Sequence, residues 1–435
     1  MSNAELNKNA VLDPQEQPVW EENPRIVKPI LGIDDKPNTW WESLLYGWQH
    51  TLVDISPFVL PLLVATAAGL GPDEGAVWVS RGLFGMGLAT LLQTTFGNKL
   101  PIIQGPSATV TGALTSVVAL YGMPAMWGAI LVGGIIEMLL GATRVLGVLR
   151  KMFPVVVSGV VVMSIGYSLG RTAVGWMIGD GSASNFILAA ATILLIFILQ
   201  FTTKNIANGI ISRGSIFFSI WIIGLGLAGV MGKVDWALVA SKPWFAFPGF
   251  FPYGGPGFGW KFVGGAIIGV FVGYLGSIVE SIGDYAATCA VSGETYRVKH
   301  MNKGIMAEGL GCIIASIFGG IPVSSYTQNI GIISTTKIAS RYVVKVSACI
   351  LLLYGLSPKF GALLVAIPRS IIGAVFVIVC GSIVTSGIQL VSSAKPTTAN
   401  SFLVGTTMLF AVGIPVYATY GISEWTKAQT PLIQL

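Results

Sequence analysis

Charge is scarce in this chain. Asp, Glu, Lys and Arg make up 10% of its 435 residues, whereas a water-soluble domain carries about a quarter. With 53% hydrophobic residues and a mean hydropathy of +0.75, most of the surface has to face lipid. Histidine is scarcer still, at two residues. No His/Cys cluster supports a metal, and no cofactor is expected. Four cysteines, Cys289, Cys312, Cys349 and Cys380, stand in apolar stretches without paired spacing. They read as small packing residues, not as a disulfide or metal framework. The net charge of +6 is spread over short loops, which excludes nucleic acid as a partner. No nucleophile–base pair or cofactor motif argues for an enzyme. The segment from Met1 to Trp40 lacks an apolar h-region; it reads as a polar cytosolic tail, with the first apolar span as an uncleaved insertion signal.

Apolar runs and glycine are what the chain has in plenty. Stretches of roughly 15–25 apolar residues recur between short polar breaks. We count about thirteen, the first near 44–66 and the last near 400–417. The 55 glycines let membrane helices approach closely, and let them break where a site needs exposed backbone. The spans that follow Gln104 and Tyr326 are short for a bilayer. Each is preceded by a Pro-containing, strand-like run, Leu100–Gln104 and Ile321–Tyr326. The spacing from Pro101 to Ser107 recurs from Pro322 to Gln328. This reads as an internal repeat with a binding site at its interface, or as coincidence in a Gly-rich chain.

Basic residues set the expected orientation. Loops on the N-terminal side hold Lys99, Arg144, Arg150, Lys151, Lys204, Arg213, Arg297, Lys299, Lys303, Lys337, Arg341, Lys345 and Lys395; the opposite loops hold Arg81, Arg171, Lys233, Lys242, Lys261, Lys359 and Arg369. The bias, roughly two to one, places the N-terminus in the cytosol of a cell (inner or plasma) membrane. The outer segment 233–262 is dense in aromatics, among them Trp236, Trp244, Phe245, Phe247 and Trp260. It suits an interfacial anchor more than a substrate contact.

Ionisable residues within spans are His50, Asp54, Glu137, Glu280, Asp284 and Glu308. At mid-membrane each costs about 2.5–3.5 kcal/mol, so each needs a reason. Glu280 and Asp284 stand four residues apart and share one helical face, which has to line a polar interior. Two readings stay open: proton uptake and release at a carboxylate pair, or a hydrogen-bonded pair that holds helices together. The second constellation is the run Gln328-Asn329-Ile330-Gly331-Ile332-Ile333-Ser334-Thr335-Thr336-Lys337. A primary amide offers donors and an acceptor in one plane, matching adjacent N–H and C=O groups of a purine or pyrimidine. Gly331 would let backbone come close, and free N–H groups of a new helix would bind oxo groups. The alternative is an amide that only caps a broken helix.

The same residues resemble a known family. Gln328 to Lys337 is similar to the signature of the nucleobase–ascorbate transporters (nucleobase:cation symporter-2, the xanthine/uracil permeases): Gln, Asn, any residue, Gly, four residues, Thr, then a basic residue. Glu280-Ser281-Ile282-Gly283-Asp284-Tyr285 resembles its eighth-span motif, and Gln49-His50 its first-span pair. Pro154–Gly159 with Ile165–Leu169 resembles the fifth span, and Asn302-Lys303-Gly304 through Glu308-Gly309-Leu310 the ninth. The likeness runs from about Trp41 to Tyr420.

The resemblance implies an all-α polytopic membrane protein of two inverted seven-span repeats, forming core and gate domains. Spans 3 and 10 would open as short antiparallel strands feeding half-helices. The implied division is a cytosolic tail (1–40), a first repeat (41–232), the aromatic segment (233–262) and a second repeat (263–435), with a fourteenth span apparently missing. The implied function is proton-coupled symport of a purine of xanthine or urate type by an elevator-like mechanism, because Gln at the position of Gln328 accompanies those substrates. Uracil- or ascorbate-type substrates, or anion exchange on the related sulfate/bicarbonate fold, are the alternatives. By motif match, Glu280 and Gln328 grip the ring, Asn329 and Asp284 support it, and His50 and Glu308 join the polar network. A homodimer in the lipid bilayer is expected. Where the family often has Ser-Phe after a glycine, this chain has Pro106-Ser107-Ala108, which puts Ser107 and Ala108 at the place of the stacking ring. Asp54, one turn from His50, lies outside the pattern and is expected to bias His50 toward its charged form.

Overall fold

The computed structural model describes residues 15–19, 28–54, 58–146, 154–203, 210–249 and 259–420. In lipid the backbone has to satisfy itself, so the apolar runs close into helices. The first, expected as one span at 44–66, is two helices: α1 (Trp40–Asp54) and α2 (Val59–Ala67). Next comes α3 (Pro72–Thr95), with Pro72 in its first turn and the Glu74 carboxylate accepting the Gly71 N–H at 3.0 Å; both features favour a helix start. Strand β1 (Gln104–Pro106) leads into α4 (Ala108–Tyr121), followed by α5 (Met123–Ala142), α6 (Val155–Ile178), α7 (Ala183–Thr202) and α8 (Ser215–Val230). A short α9 (Trp236–Ser241) precedes α10 (Gly264–Val291) and α11 (Val298–Ile317). Strand β2 (Val323–Ser325) leads into α12 (Gln328–Thr336), and the chain continues through α13 (Arg341–Gly355), α14 (Pro358–Val365), α15 (Arg369–Ser393) and α16 (Thr398–Tyr420).

Among the described residues six helices are long and apolar enough to cross a membrane: α3, α5, α6, α7, α10 and α15. The pair α13–α14 makes a seventh if its 80° bend is one broken span. This is fewer than the thirteen apolar runs because several runs fold into short or split pieces. The helix α12 has 9 residues, a rise of about 14 Å, roughly half a bilayer's hydrocarbon core.

The strands are shorter than the strand-like runs and displaced toward the helices. They pair antiparallel, Gln104 opposite Ser325, Gly105 opposite Ser324 and Pro106 opposite Val323. Beyond the ladder, Ser107 N–H donates to the Pro322 carbonyl at 2.8 Å and Tyr326 N–H to the Ile103 carbonyl at 3.0 Å. Both strands are wholly buried, so this pairing satisfies backbone that has no access to water. It also holds the starts of α4 and α12 side by side.

Glycine does what a membrane interior asks of it at two helix crossings. A Cβ on Gly309 of α11 would stand 2.7 Å from the Gly134 carbonyl of α5, and one on Gly387 of α15 would stand 2.7 Å from the Gly159 carbonyl of α6. Only glycine allows these backbones so close. Burial grades outward: 78% of the apolar window of α3 is buried in the protein, against 22% for α7. The helix α3 therefore runs through the middle, and α7 presents Phe186, Leu194, Phe197 and Phe201 outward. Arg81, expected in a loop, is instead buried within α3, because that helix starts at Pro72, a full two turns earlier than its apolar run suggests.

Two pieces of the N-terminal segment lie along one face. Residues 15–19 run beside the α10–α11 link, with Val298 N–H donating to the Gln17 carbonyl at 3.0 Å and Lys299 N–H to that of Gln15 at 2.9 Å. Residues 30–33 run beside the α12–α13 link: Ile30 N–H reaches the Lys337 carbonyl at 2.7 Å, and Ala339 N–H the Leu31 carbonyl at 2.8 Å. In the aromatic segment, Trp244 and Phe245 are exposed, and Phe247 packs edge-on against Phe84 and Phe318.

Candidate functional site

The paired strands bring four elements to one place: the starts of α4 and α12, the middle of α10, and α11 behind them. Sequence neighbours on α10 then point to different partners, since successive helical residues turn by about 100°. Glu280 is 7% exposed. Its Oε2 accepts the Thr109 hydroxyl of α4 at 2.6 Å, and its Oε1 has no partner among the described residues. Asp284, one turn on, is fully engaged: Oδ2 accepts from Ser325 at 2.9 Å and Oδ1 from Thr327 at 2.8 Å. Glu308 on α11 is completely buried. It accepts from Ser281 at 2.7 and 2.9 Å and from Tyr285 at 2.7 Å. Gln93 Nε2 in turn donates to the Tyr285 oxygen at 2.8 Å.

Asp284 and Glu308 are joined by two hydroxyls. Ser325 lies 2.9 Å from Asp284 and 3.0 Å from Ser281, and Ser281 lies 2.7 Å from Glu308. With both acids ionised, two hydroxyl protons serve three contacts. One added proton, on either acid, serves all three, and the two arrangements interconvert by shifting each proton one link. Such a chain can take up one proton.

The helix α12 opens without a side-chain cap, because its N-cap residue Thr327 gives its hydroxyl to Asp284. Gln328, the first helical residue, is half-buried, and its amide has no partner among the described residues. The first turn of α12 and the Gln328 amide thus both lack side-chain partners among the described residues. Asn329 is buried, and its Nδ2 lies 2.8 Å from His50 Nδ1. With Asn329 as donor, Nδ1 accepts and the His50 proton sits on Nε2. Ser107 caps α4, accepting the Val110 N–H at 3.4 Å, and lies 3.4 Å from Ser277. Ala108 is the first residue of α4 and is 9% exposed. Gly331 is exposed, and a Cβ there would meet nothing within 4 Å, so no protein atom requires glycine. The side chain of Asp54 lies outside the described residues.

The structure thus gathers Glu280, Asp284, Glu308, Gln328, Asn329, His50, Ser107 and Ala108 around the two strand ends, and leaves Gly331 a turn away. It adds hydroxyls that the residue-level reading passed over: Thr109, Ser281, Ser325 and Thr327. Ser281 stood inside the eighth-span motif and Ser325 in the strand-like run, but nothing in a one-dimensional string pairs them. Glu137 on α5 is buried, with Oε2 3.7 Å from the Cys312 sulfur and Oε1 without a partner among the described residues.

The model of the permease family Xan_ur_permease matches residues 41–419. The chain belongs to this family, the nucleobase:cation symporter-2 transporters. It is 32% identical to the uric acid permease PucK of Bacillus subtilis (strain 168), covering 83% of this chain and 84% of the relative. It is also 32% identical to the xanthine permease of the same organism, over 82% and 81%. Among solved structures it is similar to the transmembrane domain of the cyanobacterial bicarbonate transporter BicA, with a TM-score of 0.65, 16% identity, and coverage of 88% and 97%; at that identity the likeness is one of fold. This permease is a membrane-embedded transporter, not an enzyme.

Proposed function

We propose that this permease is a proton-coupled symporter of a purine nucleobase of xanthine or urate type. The observation that carries the reading is that a carboxylate oxygen, Glu280 Oε1 on α10, and the Gln328 amide at the start of α12 are both unengaged among the described residues, on elements that the strand pair brings together. Together they offer acceptors and donors to a flat ring that alternates N–H and C=O. Glu280 and Gln328 grip the ring edge, while Asp284 and Asn329 position the strand end and α12 through Ser325, Thr327 and His50. The named substrates of the relatives, urate and xanthine, favour purine over uracil or ascorbate. Membership of the permease family weighs against anion exchange.

Proton coupling is supported by the one-proton chain from Asp284 through Ser325 and Ser281 to Glu308. Two inverted repeats, 41–232 and 263–435, are supported by the strand pair: the sequence offset that relates Pro101 to Pro322 also separates Gln104 from its ladder partner Ser325. A local two-fold axis through that pair would relate the halves, with β1 and β2 opening spans 3 and 10. Elevator-like movement of a core against a gate, a cytosolic N-terminus in the cell membrane and a homodimer complete the reading. The outward apolar face of α7 suits lipid or a second copy.

The test is uptake of labelled xanthine and urate into proteoliposomes under an imposed pH gradient. Accumulation that a protonophore collapses supports the proposal. Uptake that follows Na⁺ alone, indifferent to pH, ends it.

A further inference from the structure

Away from that site, a cavity of about 300 Å³ opens where the α3–β1 link, the start of α11, the N-terminal residues 30–34 (the strap) and the start of α13 meet. Lys99, Lys299, Lys303 and Arg341 line it, with Asn98 and His300. Two acids, Asp34 and Glu294, also line it, but Asp34 is paired with Arg341 and Glu294 with Arg297. Lys299 is taken by Glu16 at 2.8 Å, and that hydrogen bond holds the Glu16 carboxyl below its usual range. Lys99 and Lys303 have no acidic partner among the described residues. Two ammonium groups without counter-charge on one concave wall attract an anion.

A second observation comes from Asn98, which is 5% exposed and whose Oδ1 accepts the Leu100 N–H at 3.0 Å. That bond fixes the turn, so Lys99 between the two is presented to the cavity on a set backbone. Lys99 has a φ of +60°, a strained conformation for a residue with a side chain, and such strain gathers at ligand sites.

We propose that this cavity is a second ligand site that takes a phosphate-bearing anion, with phosphoryl oxygens on Lys99 and Lys303. The volume is at the small end for such sites: enough for inorganic phosphate, a nucleoside monophosphate or a phospholipid headgroup. Because Asp34 and Arg341 form one wall, occupancy would brace the strap whose Ile30 and Leu31 N–H groups close on Lys337 at the end of α12. The site stands independently of which base the permease carries.

The full chain in uncharged detergent is titrated calorimetrically with inorganic phosphate and with adenosine monophosphate. Nanodiscs of phosphatidylcholine with and without phosphatidylglycerol form the lipid arm, read as the thermal midpoint. One variant is Lys99→Gln with Lys303→Gln. The other is Lys99→Glu with Lys303→Glu, which reverses the charge of the same wall. A midpoint equal to wild type without probe shows that each variant folds. We expect a soluble probe to bind, and about tenfold or weaker binding in either variant. Stabilisation by phosphatidylglycerol alone, lost in the variants, identifies the anion as a lipid headgroup. No response to any probe, or equal response in wild type and both variants, overturns the site.

Discussion

The Ser281 hydroxyl on α10 donates to Glu308 on α11, 2.7 and 2.9 Å from its two carboxylate oxygens. Glu280, one residue earlier, turns instead toward Thr109 on α4. Adjacent residues of one motif therefore face different partners, and the two tasks proposed for them, ring contact and proton chain, can be separated by mutation.

Ser281→Ala removes the middle link and leaves Glu280 and Gln328 in place. Hydrogen bonds to charged groups are worth about 1.5–3 kcal/mol, or tenfold and more. We expect uptake driven by a pH gradient to fall about tenfold, with calorimetric affinity for the base within about twofold of wild type. Ser281→Thr, which keeps the hydroxyl, should restore uptake. Full gradient-driven uptake in Ser281→Ala would remove the chain from the mechanism.

Glu280→Gln should abolish base binding more severely than Asp284→Asn. Glu280 has an oxygen to offer, whereas both Asp284 oxygens are held by Ser325 and Thr327. The new amide at 280 puts a donor against a ring donor, losing a charge-assisted bond of about 1.5–3 kcal/mol. At Asp284 the hydroxyls can turn to meet an amide, so binding survives better while coupling suffers. Titration of the purified variants decides, and wild-type affinity in Glu280→Gln would take Glu280 out of the site.

Gln328→Glu should lose xanthine and urate and tolerate uracil better. The change removes the amide donor and adds a charge that has to be protonated or paired. Sites built on specific hydrogen bonds reject mismatched analogues strongly. Gln328→Ala should weaken all bases alike. Competition of labelled substrate by a panel of purines and pyrimidines reads both variants. An unchanged order in Gln328→Glu would assign selectivity to Glu280 and the Ser107-Ala108 end of α4.

Gly309→Ala should lower the thermal midpoint, because its Cβ meets the Gly134 carbonyl and the Met138 backbone. Overpacking of this kind costs about 1–3 kcal/mol. Gly331→Ala meets nothing and should keep the midpoint, so a rise in KM there would report a close approach by substrate. Thermal unfolding in detergent beside uptake kinetics separates the two, and an undisturbed midpoint in Gly309→Ala would contradict the tight α5–α11 crossing.

Much of the architecture was legible in the string because lipid leaves so few options. An apolar run in a bilayer has to be a helix, and an intramembrane acid has to face an interior; both follow from composition. The four-residue spacing of Glu280 and Asp284 placed them on one face, and the Gln328–Lys337 signature named the family. What no spacing discloses is which groups are already spoken for. Glu280 and Asp284 look equivalent in sequence, yet one keeps an oxygen and the other spends both on Ser325 and Thr327. The string could not show that Ser325 meets Ser281, that 44–66 divides into two helices, or that Lys99 and Lys303 share a wall with Asn98. These are contacts between residues tens to hundreds of positions apart. Local chemistry sets what each residue can donate or accept, and only the β1–β2 pairing, which ties two distant segments into one short ribbon, decides who receives it.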